Sequence, residues 1–381
     1  MSSSPVIEWT EAGEPRFARW HSESGTPPPK RVAIADDRTT ADEAFRLASE
    51  GTALLWRGDF QNARQMLQAM ARRIDRKRRK PVTATGSAEA FHLYRLAQSQ
   101  RARTLGMLLL PFEEDYRVPL RRAPDVQLAC SEAYGPAQGG QGPFVASLRE
   151  LLGLIGAHEW RKKGIAIPAL GANIHPHYGV FAPVRGEYLG LVATAPLPAG
   201  CDLAFDIGTG TGVLAALLAS RGIARIVATD QDPRALECAA ENMERLGLAG
   251  RVEVVAADLF PVGRAPLIVC NPPWVPARAS SPLERAVFDP DSRMLMGFIG
   301  GLAAHLEPGG EGWLVLSDLA EHLGLRARAD LLAAFAAAGL DVVGRMDAKP
   351  NHARTTDTTD PLHAARAAEL TSLWRLAVRN A

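Results

Sequence analysis

Phe205-Asp206-Ile207-Gly208-Thr209-Gly210-Thr211-Gly212 closes one apolar run and opens another with helical spacing. Glycines at a strand-to-helix turn let the backbone reverse sharply and approach a ligand with no Cβ in the way. The spacing is GxGxG; a dinucleotide-binding turn favours GxGxxG, which would need a glycine where Val213 stands. No GKS or GKT follows, so a phosphate-cradling P-loop is excluded. Around this turn the pattern alternates between short apolar runs and amphipathic stretches. It predicts strands over 203–207, 226–229, 252–256, 267–270, 313–317, 341–346 and 372–378, with helices over 212–220, 233–246, 292–306 and 326–338. Such alternation reads as an α/β fold with a largely parallel, Rossmann-like sheet covered on both faces.

Three more features follow successive strands. Asp230 ends the second strand, where a carboxylate can accept both hydroxyls of a ribose. Asp258 follows the third strand and can accept from an adenine amino group, with Leu259 beside it. Asn271-Pro272-Pro273-Trp274 follows the fourth, at the carboxyl end of the sheet where open α/β folds place their sites. The two prolines stiffen that turn. The Asn271 side-chain oxygen and the Pro272 carbonyl can then accept both hydrogens of one planar NH2 group, and Trp274 offers a flat face for a base or amide. His175 and His177 stand just before Gly179-Val180-Phe181-Ala182-Pro183 and could reach an acceptor.

The chain ahead of this pattern reads differently. Residues 1–35, rich in Ser, Pro and Glu, suggest a flexible leader, and 36–164 a mainly helical domain that recognises the substrate. Asp59 is a candidate N-cap for a helix whose Ala63, Met66, Leu67, Met70 and Ile74 share a face. Further helices are expected over 88–110 and 144–160. The net charge of +1 divides into 25 Lys+Arg against 19 Asp+Glu over 1–165 and 18 against 23 over 166–381. Seven basic residues in the nine of 72–80 form a candidate phosphate-contacting patch, and so a possible nucleic-acid contact. Cys130, Cys201, Cys238 and Cys270 are scattered without metal-ligand spacing, so neither a metal nor a disulfide framework is expected. No apolar run approaches the ~18 residues that span a bilayer. Residues 1–20 lack a secretory apolar core, and a cytoplasmic location is expected.

Taken together, residues 173–318 resemble the class I methyltransferases with an (Asn/Asp)-Pro-Pro-aromatic signature, above all the HemK-like protein-glutamine and the adenine-N6 enzymes. The resemblance takes in Gly179-Val180-Phe181-Ala182-Pro183, the 206–212 turn, Asp230, Asp258, Asn271-Pro272-Pro273-Trp274 and Asp289-Pro290. It implies a seven-stranded methyltransferase sheet over 165–381 and S-adenosyl-L-methionine as cofactor. Cofactor contacts would fall to Asp206, Gly208, Gly210, Gly212, Asp230, Asp258 and Leu259, and the acceptor nitrogen to Asn271. Trp274 stands where the glutamine enzymes carry Tyr, and Pro183-Val184-Arg185-Gly186-Glu187 departs from their run at that point. The acceptor therefore stays open between a macromolecular amide (protein glutamine), an amino group of adenine or guanine in RNA or DNA, and a small molecule.

Overall fold

The computed structural model describes residues 5–77, 87–184, 186–278, 284, 287–350 and 357–379. It divides into two compact units, one of residues 1–83 and 92–159, the other of residues 84–91 and 160–381. The expected boundary at 164/165 thus falls slightly earlier, between 159 and 160, and a short upstream segment groups with the second unit.

The first unit is built on a sheet that the sequence reading did not anticipate. Its strands are β1 (Val6–Glu11), β2 (Glu14–Trp20), β3 (Val32–Ala35), β4 (Ala53–Trp56), β5 (Leu108–Phe112) and β6 (Phe144–Ser147), in the order β1-β2-β6-β5-β4-β3. The helices are α1 (Ala41–Ser49), α2 (Phe60–Lys77), α3 (Ser87–Gly106), α4 (Gln127–Tyr134) and α5 (Leu148–Lys163). The leader expected over 1–35 is instead a hairpin plus a strand. Ala12 and Gly13 both take left-handed φ, 53° and 81°, and so form the two-residue turn that matches strand twist. Ile7 and Trp20 from the hairpin are buried with Leu55, Leu109 and Val145. A polar composition concealed this because an edge hairpin buries only alternate residues. Phe144 begins a strand, not a helix; the helix starts only at Leu148.

In α2 the Asp59 carboxylate accepts from the Gln61 backbone N–H at 2.9 Å, and Ala63, Met66, Leu67 and Met70 are buried. Of the basic run at 72–80, residues 78–80 lie outside the described residues. Arg73 pairs with Asp42 at 2.6 Å, and Asp75 takes Arg101 at 3.1 Å, so part of this run is spent on intramolecular ion pairs.

The second unit opens with a small antiparallel pair, β7 (Ile165–Ile167) and β8 (Ala172–Ile174), and α6 (Glu187–Thr194). Then come β9 (Leu203–Ile207), α7 (Val213–Ser220), β10 (Arg225–Asp230), α8 (Pro233–Arg245), β11 (Val252–Ala256), β12 (Ala265–Cys270), α9 (Arg293–His305) and β13 (Leu306–Ser317). The short α10 (Leu319–His322), α11 (Arg328–Ala337), β14 (Leu340–Ala348), α12 (His363–Ala368) and β15 (Thr371–Val378) complete it. The seven-stranded sheet has the order β11-β10-β9-β12-β13-β15-β14, parallel throughout except for β15. From β9 the chain runs outward through β10 and β11, then returns to place β12 on the other side of β9. That reversal is the switch point of the sheet. The whole of β12 is buried, Leu267 and Val269 in one core cluster and Ile268 and Cys270 in the other, so each face of the strand packs under its own layer of helices.

Candidate active site

The carboxyl ends of β9, β10, β11 and β12 deliver the residues that the motifs singled out. Register sets their neighbourhood: Ile207 pairs with Thr229 on one side and with Cys270 on the other. Gly208 and Asn271 are therefore the first residues beyond two adjacent parallel strands, on either side of the switch point.

Gly208, Gly210 and Gly212 have φ of 71°, 55° and 79°, in the left-handed region where a Cβ is disfavoured. Their surroundings differ. A Cβ on Gly208 would come 2.3 Å from the end of Met294, and one on Gly212 would come 2.9 Å from the end of Met243. A Cβ on Gly210 would meet nothing within 4 Å. The turn is thus backed by protein at its first and third glycines and open at the second.

Asp206 is fully buried. Its Oδ2 accepts from the Thr209 hydroxyl at 2.7 Å and from the Ala215 N–H at 3.1 Å, while Oδ1 has no hydrogen-bond partner among the described residues. Burial pushes this carboxyl up to about 6, against the pull of those two hydrogen bonds and with the negative Asp230 adding to the rise. Asp230 accepts from the Gly210 N–H through one oxygen and from the Asp232 N–H through the other, both at 3.0 Å. Burial raises its carboxyl also, opposed by backbone N–H donors. Asp258 is more open. It accepts from the Gln231 side-chain amide, and Arg293 pairs with its other oxygen at 3.0 Å. Leu259 has φ 71°, a conformation a branched residue rarely adopts, and its carbonyl accepts from the Thr229 hydroxyl at 2.6 Å.

On the other side of the switch point Asn271 is half-buried and Pro272 buried. Trp274 is also half-buried; its ring packs against both core clusters, and its indole N–H donates to Asn271 Oδ1 at 2.8 Å. The flat face that the sequence suggested for stacking is thus partly claimed by the core. Beyond it the chain is pinned where the Val275 N–H donates to the Val287 carbonyl at 3.2 Å and the Asp289 N–H to the Val275 carbonyl at 2.9 Å. The Asp289 carboxylate in turn accepts from the backbone N–H groups of Met294 and Leu295, at 2.9 and 3.2 Å, and so secures the start of α9.

His175 and His177 do not turn toward the acceptor loop. The His175 ring nitrogen bonds the Arg161 carbonyl at 2.6 Å, and His177 bonds Glu241 at 2.7 Å. Motif reading passed over Asn242. Its amide donates to the Thr211 carbonyl at 3.0 Å and its oxygen accepts from the His175 N–H at 2.8 Å, which ties the glycine turn to α8. The signal was an amide on the otherwise apolar stripe of Ala235, Cys238, Ala239 and Met243. Burial pushes the Cys130 and Cys238 thiols up to about 12, so neither offers a thiolate nucleophile. Among the described residues there is no group of three His, Cys, Asp or Glu that could hold a metal ion, and no helix long and apolar enough to cross a membrane.

Residues 189–335 match the family described as Methyltransferase small domain. The second unit thus carries a methyltransferase domain. Its relatives include a release factor glutamine methyltransferase of Cereibacter sphaeroides, 36% identical over 179 residues, which are 43% of this chain and 63% of the relative. A ribosomal protein L11 methyltransferase of Sorangium cellulosum is 36% identical over 167 residues, 44% of this chain and 43% of that protein. A solved methyltransferase of Pyrococcus furiosus is similar at 19% identity and a TM-score of 0.39, covering 59% of this chain and 98% of its own. The chain thus spans less than two thirds of the length of either sequence relative.

The residues present fit a nucleoside cofactor. Gly210 leaves room for close approach, Asp230 is aimed by two backbone N–H groups, and the partnerless Asp206 Oδ1 marks acceptor capacity left unused by the described residues. In the methyltransferase domain Asp230 would take the ribose hydroxyls, and Gly208 and Gly210 would let the backbone approach the rest of the cofactor.

Proposed function

We propose that this protein transfers a methyl group from S-adenosylmethionine to the nitrogen of a planar amide in a protein, with glutamine as the acceptor side chain. The observation that carries this reading is the Cys270–Ile207 register, which brings Asn271 abreast of the glycine turn across the switch point. The cofactor supplies an electrophilic methyl on a sulfonium. The chain's task is then to hold a poor nucleophile in line with it, because an amide nitrogen has its lone pair delocalised. Asn271 Oδ1 and the Pro272 carbonyl accept the two N–H bonds, which orients the nitrogen and favours the charge that develops as the new N–C bond forms. The proton it sheds passes to water. The amide is favoured over a nucleobase because part of the Trp274 face is packed into the core, leaving less of it for a base to stack on. The release-factor and L11 enzymes among the relatives agree with a protein acceptor. In this reading the first unit recognises the acceptor protein, with the exposed Arg72 and Arg76 available to a polyanionic surface.

The experiment is to incubate the full chain with tritiated S-adenosylmethionine and, separately, a release factor, ribosomal proteins and total RNA. Label on a glutamine amide is expected. Label confined to RNA would move the acceptor to a nucleobase. Cofactor binding without label on any macromolecule would leave only a small-molecule acceptor and overturn the reading.

A further inference from the structure

The geometry points to Trp274 as a positioning residue whose indole N–H selects the working orientation of the Asn271 carboxamide. This inference rests on the proposed role of Asn271 as the acceptor's hydrogen-bond partner. An asparagine amide has an oxygen on one side and an NH2 on the other, and a half-turn about its last side-chain bond exchanges them. Only the oxygen can accept from an incoming amino or amide nitrogen. The flipped amide would present a donor to a donor.

Something must therefore hold the amide in one sense, and an indole is suited to it because its nitrogen is a donor only. In the structure the Trp274 Nε1–H donates to Asn271 Oδ1 at 2.8 Å. The contact cannot form with the amide reversed. Oδ1 keeps a second lone pair for the acceptor. The indole is restrained: it packs against residues of both core clusters, Pro272 and Pro273 stiffen the backbone that joins it to Asn271, and Val275 is bonded to Val287 and Asp289 just beyond. Tyrosine would not do the same work, since a phenol oxygen accepts as well as donates and can satisfy either face of the amide. Phenylalanine could satisfy neither. If Trp274 served only as a flat face, both would replace it with little loss.

The first test needs no acceptor. With the full chain labelled with 15N, the Trp274 indole N–H signal is identified by its loss in Trp274→Phe, and its hydrogen exchange is compared between the wild type and Asn271→Ala. Exchange about tenfold faster in Asn271→Ala is expected, with circular dichroism unchanged. Equal rates would mean that the bond does not exist in solution and would overturn the proposal, whatever the acceptor. The second test uses the acceptor labelled in the tritium experiment. Trp274→Phe keeps an aromatic ring and should lower kcat about tenfold, leaving KM for the acceptor and Kd for S-adenosylmethionine within about twofold. A raised KM with kcat intact would assign Trp274 to stacking, and full activity would leave it no role; either result overturns the proposal. Loss of activity with the exchange difference intact in a protein that labels no amide would instead count against the assigned acceptor.

Discussion

Asp206 shows what a single buried carboxylate does to the protein that carries it. With its carboxyl at about 6, against 3.8 for the free group, the folded state holds a proton that the unfolded state has already lost between those two values. Stability linked to this group therefore falls as pH rises through that window and is level above it. The gap between the two values corresponds to about 3 kcal/mol. Asp206→Asn removes the titration, so the stability of the variant relative to wild type should improve by about that amount between pH 4 and pH 7, as read from urea denaturation. A difference that does not change with pH would show that Asp206 is not shut away in the way described. At this scale the sequence was legible in part. Asp206, Asp230 and Asn271 stand where their strands predicted, because a strand end fixes a side chain's place to within a residue. The partner of Trp274 was not legible: spacing places an indole shortly after an asparagine, but only its packing against the two core clusters decides what its N–H meets. His175 and His177 illustrate the converse, since proximity in sequence to a site gave no hint that α5 would take one ring and α8 the other.

The elements divide by how many faces they bury. Every strand of the second unit was foreseen to within a few residues, apart from β7, β8 and the first half of β13; β9, β12 and the second half of β13 are the mainly apolar runs that lie buried in the middle of the sheet. In the first unit the strands β1 to β6 were missed. β4 and β6 have four residues each, too short to tell from a helical segment by periodicity, and β1 and β2 form a hairpin with many exposed positions. The glycine turn between β9 and α7 makes a test at this scale, because its glycines differ in surroundings although all have positive φ. Gly210→Ala should cost only about 1–2 kcal/mol of stability from backbone strain, since its Cβ enters open space, and yet should weaken S-adenosylmethionine binding at least tenfold. Gly208→Ala meets only the flexible end of the Met294 side chain, which can move aside, so its stability cost should be similar. Thermal melts paired with calorimetric titration separate the two effects. Unaltered cofactor affinity in Gly210→Ala would mean that the open side of the turn does not face the cofactor.

At the scale of the whole molecule, the charge divides with the chain. The stretch 1–165 carries the basic excess and the remainder the acidic one, and the methyltransferase domain lies in the acidic part. On the proposed reading the second unit holds the cofactor and aligns the nitrogen, and the first selects the macromolecule that bears it. In the proposed mechanism Asn271, in the second unit, touches the acceptor and not the cofactor. Asn271→Ala, followed by cofactor titration and by single-turnover transfer to the labelled acceptor, tests it most directly. An S-adenosylmethionine Kd within about twofold of wild type and a transfer rate lower by on the order of 10²–10³-fold are expected. Loss of cofactor binding together with activity, or a transfer rate equal to wild type, would contradict it.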